Sequence, residues 1–301
     1  MCGIASVFAY HRGAPPVERE ELMRMRDSMA ARGPDGEGLW VSDPGEIGLA
    51  HRRLSIIDLT DTAHQPMAIA DGRYRIIFNG EIYNYQALRR DLEGEGCRFH
   101  STSDTEVLLQ LYAKRGPNMV HALRGMFAFT IWDKARRGLF LARDPFGIKP
   151  LYMHDDGKTF RCASQVKALL AGGGIGKEVE PAGHVGFFLW GSVPEPYTLY
   201  RDIFAMPAGH TLWVDENGPR APQAFFDVAD ALAHAAEEST QEPVANALQA
   251  ALRDSLRHHL IADVPVGAFL SSGVDSGTLV ALASEQTPHT NAITLGFKEY
   301  A

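Results

Sequence analysis

The sequence predicts two units of different fold class, an α+β region over roughly the first 200 residues and then the opening of an α/β unit. Two observations carry this. Short apolar runs broken by polar turns dominate the first part, with only a few helical stripes among them. After residue 243 a helix, a strand, a glycine-containing turn, a helix and a strand follow one another, the order in which parallel α/β domains are built.

Taken in order, Ile4 to Ala9 reads as a strand, and Leu22, Met25 and Met29 fall on one face of a helix that stops by Gly33-Pro34-Asp35-Gly36. Those methionines read as core. Tyr74 to Phe78, Met126 to Trp132 and Leu139 to Ala142 are apolar runs of strand length, and Asp104 to Lys114 reads as a helix that Asp104 is placed to cap. Pro, Gly, Asp and Glu collect between Ala205 and Gln241, which divides a first domain at 1–205 from a second at 243–301 by a linker at 206–242. In the second domain Val244, Leu248, Leu252, Leu256 and Leu260 recur every fourth position as one helical stripe. Val266 to Leu270 then reads as a strand, Gly277 to Ser284 as a helix and Asn291 to Leu295 as a strand. A chain ending at Ala301 reaches only part of the way into an α/β domain of about 100 to 200 residues, so this second unit is expected to be incomplete.

Composition narrows the classes of function. With 45% hydrophobic and 22% charged residues the chain is an ordinary globular one rather than a disordered one. The formal net charge of −8 and the lack of a Lys/Arg cluster argue against a nucleic-acid partner. The longest apolar stretch, around Val185 to Trp190, is far short of a membrane span. The three cysteines, Cys2, Cys97 and Cys162, form no C-x-x-C pair and no zinc spacing, which fits a reducing cytoplasm and no resident metal. His258 and His259 are adjacent on a helix, face different directions and are not read as ligands.

Cys2 is the residue with unusual chemistry. Once Met1 is removed, as a small second side chain permits, it carries an α-amine and a thiol together. The amine titrates near ~7.7 to 8 and the thiol near ~8.5, so nucleophile and base are neighbours by covalent construction. A lipoprotein cysteine is excluded, because no basic and apolar leader precedes it.

Six ordered strings resemble the glutaminase domain of class II glutamine amidotransferases, in their asparagine synthetase branch. They are Cys2-Gly3-Ile4, Arg32-Gly33-Pro34-Asp35, Ala50 to Asp58 (AHRRLSIID), Asn79-Gly80-Glu81-Ile82-Tyr83-Asn84, Ser103-Asp104-Thr105-Glu106 and Arg143 to Leu151 (RDPFGIKPL). The resemblance implies an N-terminal-nucleophile hydrolase of αββα sandwich form. It implies Cys2 as nucleophile, with the Asn79 side-chain amide and the Gly80 N–H as the oxyanion hole. Arg53 is implied as the clamp for the glutamine α-carboxylate, while Arg52 reads as a solvated surface charge. Asp104 and Glu81 are the candidates for the α-ammonium, Asp104 with a competing role as a helix cap. On residue grounds alone Asn79-Gly80 also reads as a tight turn, and a glycine there leaves room for close approach of backbone to substrate.

Phe269 to Ser276 (FLSSGVDS) resembles the PP-loop of ATP pyrophosphatases, with Ser272 where a glycine is usual. That implies ATP bound by Leu270, Ser271, Gly273, Asp275 and Ser276 at a helix N-terminus, together with Mg²⁺. The two resemblances together imply an enzyme that takes ammonia from glutamine and makes asparagine from aspartate with cleavage of ATP to AMP and pyrophosphate, working as a homodimer. An amidotransferase with another acceptor and a non-catalytic glutamine-binding remnant are the two other readings.

Overall fold

β1 (Gly3–Ala9) is apolar on both faces, so it runs through the interior of a sheet rather than along its rim: Ile4 and Phe8 point one way, Ala5 and Val7 the other. The computed structural model describes residues 1–237, 243–287 and 290–296, and divides into two units, Met1–Ala231 and Leu232–Ala301. In the first unit β1 is followed by α1 (Arg19–Asp27), β2 (Gly36–Val41), β3 (Ile47–Arg53), β4 (Met67–Ile69), β5 (Tyr74–Ile82), α2 (Tyr85–Gly94), α3 (Asp104–Arg115) and β6 (Gly125–Asp133). Then come β7 (Gly138–Arg143), β8 (Tyr152–Asp155), β9 (Thr159–Ala163), α4 (Val166–Gly172), α5 (Pro181–Trp190), β10 (Phe204–Ala205), β11 (His210–Asp215), β12 (Gly218–Pro219) and β13 (Gln223–Ala224).

Two antiparallel sheets stack face to face. One has the order β10-β8-β9-β1-β3-β2, the other β12-β11-β7-β6-β5-β4 with β13 added on β11. Ile4, Phe8, Ile47 and Leu49 from the first meet Ile77, Trp132, Leu141 and Leu212 from the second in one buried cluster, where the Phe8 and Trp132 rings lie edge to face at 5.2 Å. On the outer side of the first sheet α1 and α4 bury Leu22, Met25 and Leu169, with Met29 just beyond α1, against Ala5 and Val7. On the outer side of the second, α3 lies over β5 and β4, with Tyr112 stacked on Phe140 at 5.4 Å. The result is the αββα sandwich expected from the resemblance.

Two local differences from the sequence reading have a physical reason. The strand expected at Tyr74 to Phe78 continues through Asn79 and Gly80 to Ile82, in register with Ala128 and Phe127 of β6, so Asn-Gly is strand here and not turn. Pairing along the whole length of β6 outweighs the turn preference of the dipeptide. The first unit also runs past residue 205: β11, inside the stretch that composition marked as linker, pairs with β7 from Thr211↔Ala142 to Val214↔Leu139 and covers what would be an open edge.

The second unit is described by itself. After α6 (Val228–Glu237), whose last six residues belong to this unit, the described elements are α7 (Val244–His259), β14 (Gly267–Phe269), α8 (Val274–Ser284) and β15 (Asn291–Ile293), and β14 and β15 pair in parallel. This is the helix-strand-helix-strand order expected, with α8 beginning three residues earlier than glycine 277 suggested. His258 and His259 each turn a ring nitrogen back to the carbonyl of Asp254 and Ser255, one helical turn earlier.

Gly48 shows how closely the outer helix seats. A Cβ there would lie 2.1 Å from Leu22 Cδ1, and Leu22 is fully buried. Gly48→Ala is expected to lower unfolding free energy by about 1–3 kcal/mol through overpacking, read as a drop in the midpoint of urea unfolding with an unchanged slope.

Candidate active site

The Cys2 side chain is held by the residue that follows β3. Leu54 N–H donates to Cys2 Sγ at 3.3 Å, and the Leu54 carbonyl lies 3.6 Å away as an acceptor for the thiol proton. Arg32 Nε donates to the Cys2 carbonyl at 2.9 Å. Burial pushes the thiol above its ordinary value, while the Leu54 N–H, the α-amine charge and Arg53 pull it down. Burial, Lys149 and Arg32 together lower the α-amine, which in this chain is that of Met1.

Asn79 is the second feature. It is fully buried, and among the described residues neither Nδ2 nor Oδ1 has a hydrogen-bond partner. Such a group is costly unless something fills the gap. His51, paired across from Ile4 on β3, reaches over the sandwich to the Phe78 carbonyl at 3.1 Å, which puts Asn79 opposite the start of β1. Burial drives His51 down to about 3, so it stays neutral and acts as a strut. Gly80 is needed for a different neighbour than expected. Its Cβ would lie 2.3 Å from Met126 O and 2.8 Å from Phe127 Cα, so the facing strand, rather than a substrate, already forbids a side chain.

Arg53 and Asp104 come from separate elements and are both buried. Arg53 donates through Nη1 to the Thr60 carbonyl at 2.9 Å and through Nη2 to the Asp58 carbonyl. A guanidinium has five N–H groups, which leaves donors for an anion. Arg52, expected in solvent, is instead salt-bridged between Asp27 at 2.6 Å and Glu37 at 2.7 Å, with a side chain only 17% exposed.

Asp104 is not the helix cap. Ser103 takes that position and accepts from Thr105 N–H at 3.1 Å, while Glu106 accepts from the N–H groups of His100 and Ser101. Asp104 is thereby free to accept from Ile82 N–H at 3.0 Å. Burial, reinforced by the nearby Glu81, raises its carboxyl to about 7 against the pull of that bond. Glu81 belongs to the same group of charges, acting on the α-amine, on Asp104 and on Lys149.

Several residues that matter here were not singled out from sequence. Asp144, fully buried, accepts N–H bonds from Phe127, Phe146, Ile148 and Lys149 at 2.9–3.2 Å, and so shapes the turn that brings Lys149 into the electrostatic surroundings of Cys2 and Glu81. Asp35 Oδ2 accepts from Ser55 N–H at 2.8 Å and fixes the segment beside Leu54. All lie inside the six strings, but only their contacts separate them from their neighbours.

In the second unit the loop before α8 is exposed. Ser271 and Ser276 hydroxyls are 2.8 Å apart, and the Ser271 hydroxyl also accepts from Gly273 N–H at 3.1 Å. Gly273 is the N-cap of α8, and Asp275 lies in its first turn. The hydroxyls and this N–H are thus paired among themselves. Leu270 N–H bonds the Ile293 carbonyl and closes the strand pair beneath the loop.

This arrangement, a cysteine at residue 2 beside an αββα sandwich, is that of the N-terminal-nucleophile hydrolase fold. Residues 1–226 match the glutamine amidotransferase domain family, to which the chain therefore belongs, and residues 247–301 match the asparagine synthase family. The chain is 38% identical to asparagine synthetase [glutamine-hydrolyzing] 1 of Bacillus subtilis over 99% of its own length and 46% of that protein. It is 35% identical to asparagine synthetase [glutamine-hydrolyzing] 3 of the same organism over 94% of its length and 45% of that protein. It spans about half the length of these relatives. The solved glutamine phosphoribosylpyrophosphate amidotransferase of B. subtilis shares the fold, with a TM-score of 0.54, 18% identity, and coverage of 97% of this chain and 65% of that one. Among the described residues no helix is long and apolar enough to cross a membrane.

Asp104 generates a prediction with two signs. Because its folded pKa lies above the unfolded value of 3.8, the folded chain retains a proton between about pH 4 and 7 that the unfolded chain has released. Stability from this group is therefore full below about pH 4 and lost as pH rises to 7. Asp104→Asn is expected to melt several degrees higher than wild type at pH 8, with the gap shrinking at pH 5. The same variant is expected to lose binding of a free α-amino acid, checked by calorimetry.

Proposed function

We propose that the first unit hydrolyses free L-glutamine, and the observation that carries the reading is the buried Asn79 amide without a partner. With Met1 removed, Cys2 Sγ bonds to the side-chain amide carbon as its proton passes to the α-amine of the same residue. Asn79 Nδ2 and the Gly80 N–H receive the tetrahedral oxyanion. Collapse breaks the C–N bond, the α-ammonium returns a proton to the leaving nitrogen, and ammonia departs from a thioester. Water then attacks the thioester and releases glutamate. Arg53 takes the substrate α-carboxylate, while Asp104 and Glu81 take its α-ammonium, which also relieves the buried Asp104 of an uncompensated charge.

The wider reading is an asparagine synthetase. Ammonia reaches a second site where aspartate is activated by ATP, and asparagine, AMP and pyrophosphate are released. The asparagine synthase match at 247–301 and the names of the relatives support it. Leu270, Ser271, Gly273, Asp275 and Ser276 at the start of α8 are the residues proposed to bind ATP, with the Asp275 carboxylate suited to the accompanying Mg²⁺ rather than to phosphate. A cytoplasmic homodimer belongs to the same reading and rests on the family resemblance.

Intact mass and glutamate release test the core of this. Loss of Met1, with glutaminase activity that vanishes in Cys2→Ala, is the expected result. Asn79→Ala should lower kcat by about 10² to 10³ with a much smaller change in KM. Retained Met1 in active enzyme, or activity indifferent to Cys2, would overturn it. If Asp104 binds the ammonium as a carboxylate, KM for glutamine should rise as pH falls below about 7, approaching tenfold per pH unit.

A further inference from the structure

Asp58 lies in the loop between β3 and β4 and is only 3% exposed, although nothing requires a loop carboxylate to be buried. Its φ of 55° is the left-handed region, which a non-glycine residue keeps only where its surroundings hold it. What holds it is its own carboxylate. Oδ1 accepts from the Thr60 N–H at 3.0 Å and the Thr60 hydroxyl at 2.6 Å; Oδ2 accepts from Thr102 N–H at 2.8 Å and faces the Thr62 hydroxyl at 3.4 Å. Burial pushes this carboxyl up, but the bonds from Thr60 and Thr102 outweigh it and keep the group below the usual carboxylate range. It is a charged acceptor, and such bonds are the stronger kind.

Two of these bonds connect different parts of the site. The backbone carbonyls of Asp58 and Thr60 are the two acceptors of Arg53, so the loop that Asp58 shapes is the loop that orients the guanidinium. Thr102, bonded by the other carboxylate oxygen, is two residues before Asp104 and immediately before Ser103, the cap of α3. Arg53 ends β3 and Asp104 begins α3, so neither element alone sets the spacing between them.

Resting on the glutamine reading above, we infer that Asp58 is a positioning residue for the substrate: its carboxylate ties the Arg53 loop to the N-terminus of α3 and so sets the separation of the cation and the anion that grip the two ends of a free α-amino acid. It touches no reacting atom. Its loss should therefore weaken the grip and leave the chemistry of Cys2 intact.

Two variants separate the carboxylate from the backbone. Asp58→Asn keeps the shape and tolerates the left-handed conformation but replaces one acceptor oxygen; Asp58→Gly adopts that conformation freely and has no carboxylate at all. The measurements are kcat and KM for glutamine, the calorimetric Kd for L-glutamate, and the rate of Cys2 alkylation by iodoacetamide. The expected result in both is a rise of about tenfold or more in KM and in the glutamate Kd, with saturated kcat and Cys2 alkylation close to wild type. A wild-type KM and Kd in Asp58→Gly would overturn the inference, since the residue would then serve only its own turn. So would a fall in kcat at constant KM, or loss of folded protein in both variants. A wild type that binds L-glutamate without hydrolysing glutamine would sink the glutaminase reading alone, and the Kd values would still decide the role of Asp58. Failure of the wild type to do either removes both.

Discussion

The placement of the Cys2 side chain is the constraint on which the candidate site in the first unit depends. Cys2 is fixed from behind by β1, which begins at the next residue, and from the sides by Leu54 and Arg32. β1 can serve as an anchor because β3 and β9 flank it on either side, and because the two core clusters bury its two faces. A strand on the sheet edge would fray more readily, and fraying here would move the Cys2 sulfur.

The same burial that fixes the nucleophile sets its electrostatics. Thiol, amine, Lys149 and Asp104 are all pushed toward their neutral forms by the loss of water. Under the glutaminase proposal, a zwitterionic substrate would supply partners for these groups. This is a familiar division between stability and function: the groups that cost most in the empty fold are those with most to gain from a ligand.

Charge placement depends in turn on backbone hydrogen bonds that hold loops rather than on side chains that meet substrate. Asp144 shapes the turn that brings in Lys149, and Asp35 and Asp58 do the same for the segment that follows Arg53 and Leu54, at Ser55 and Thr60. Each is a short acidic side chain that accepts one or more N–H groups from a loop, which satisfies backbone donors that burial would otherwise leave unpaired.

The sequence by itself determined the class of the first unit and the core positions of Leu22, Met25 and Met29, because apolar periodicity is a local property. It also gave the order of elements in the second unit and the candidate roles of Arg53, Asn79 and Asp104. Tertiary structure decided what local signals could not. Asn79-Gly80 became strand because β6 pairs along it, Arg52 left solvent because Asp27 and Glu37 close around it, and Asp104 was released from capping because Ser103 was one residue better placed. β11 joined the second sheet from a stretch that composition marked as linker, since an unpaired β7 edge is a property of the sheet and not of the residues that cover it. Hydrogen-bond partners and burial arise from residues far apart in the chain, and for that reason only the folded molecule assigns them.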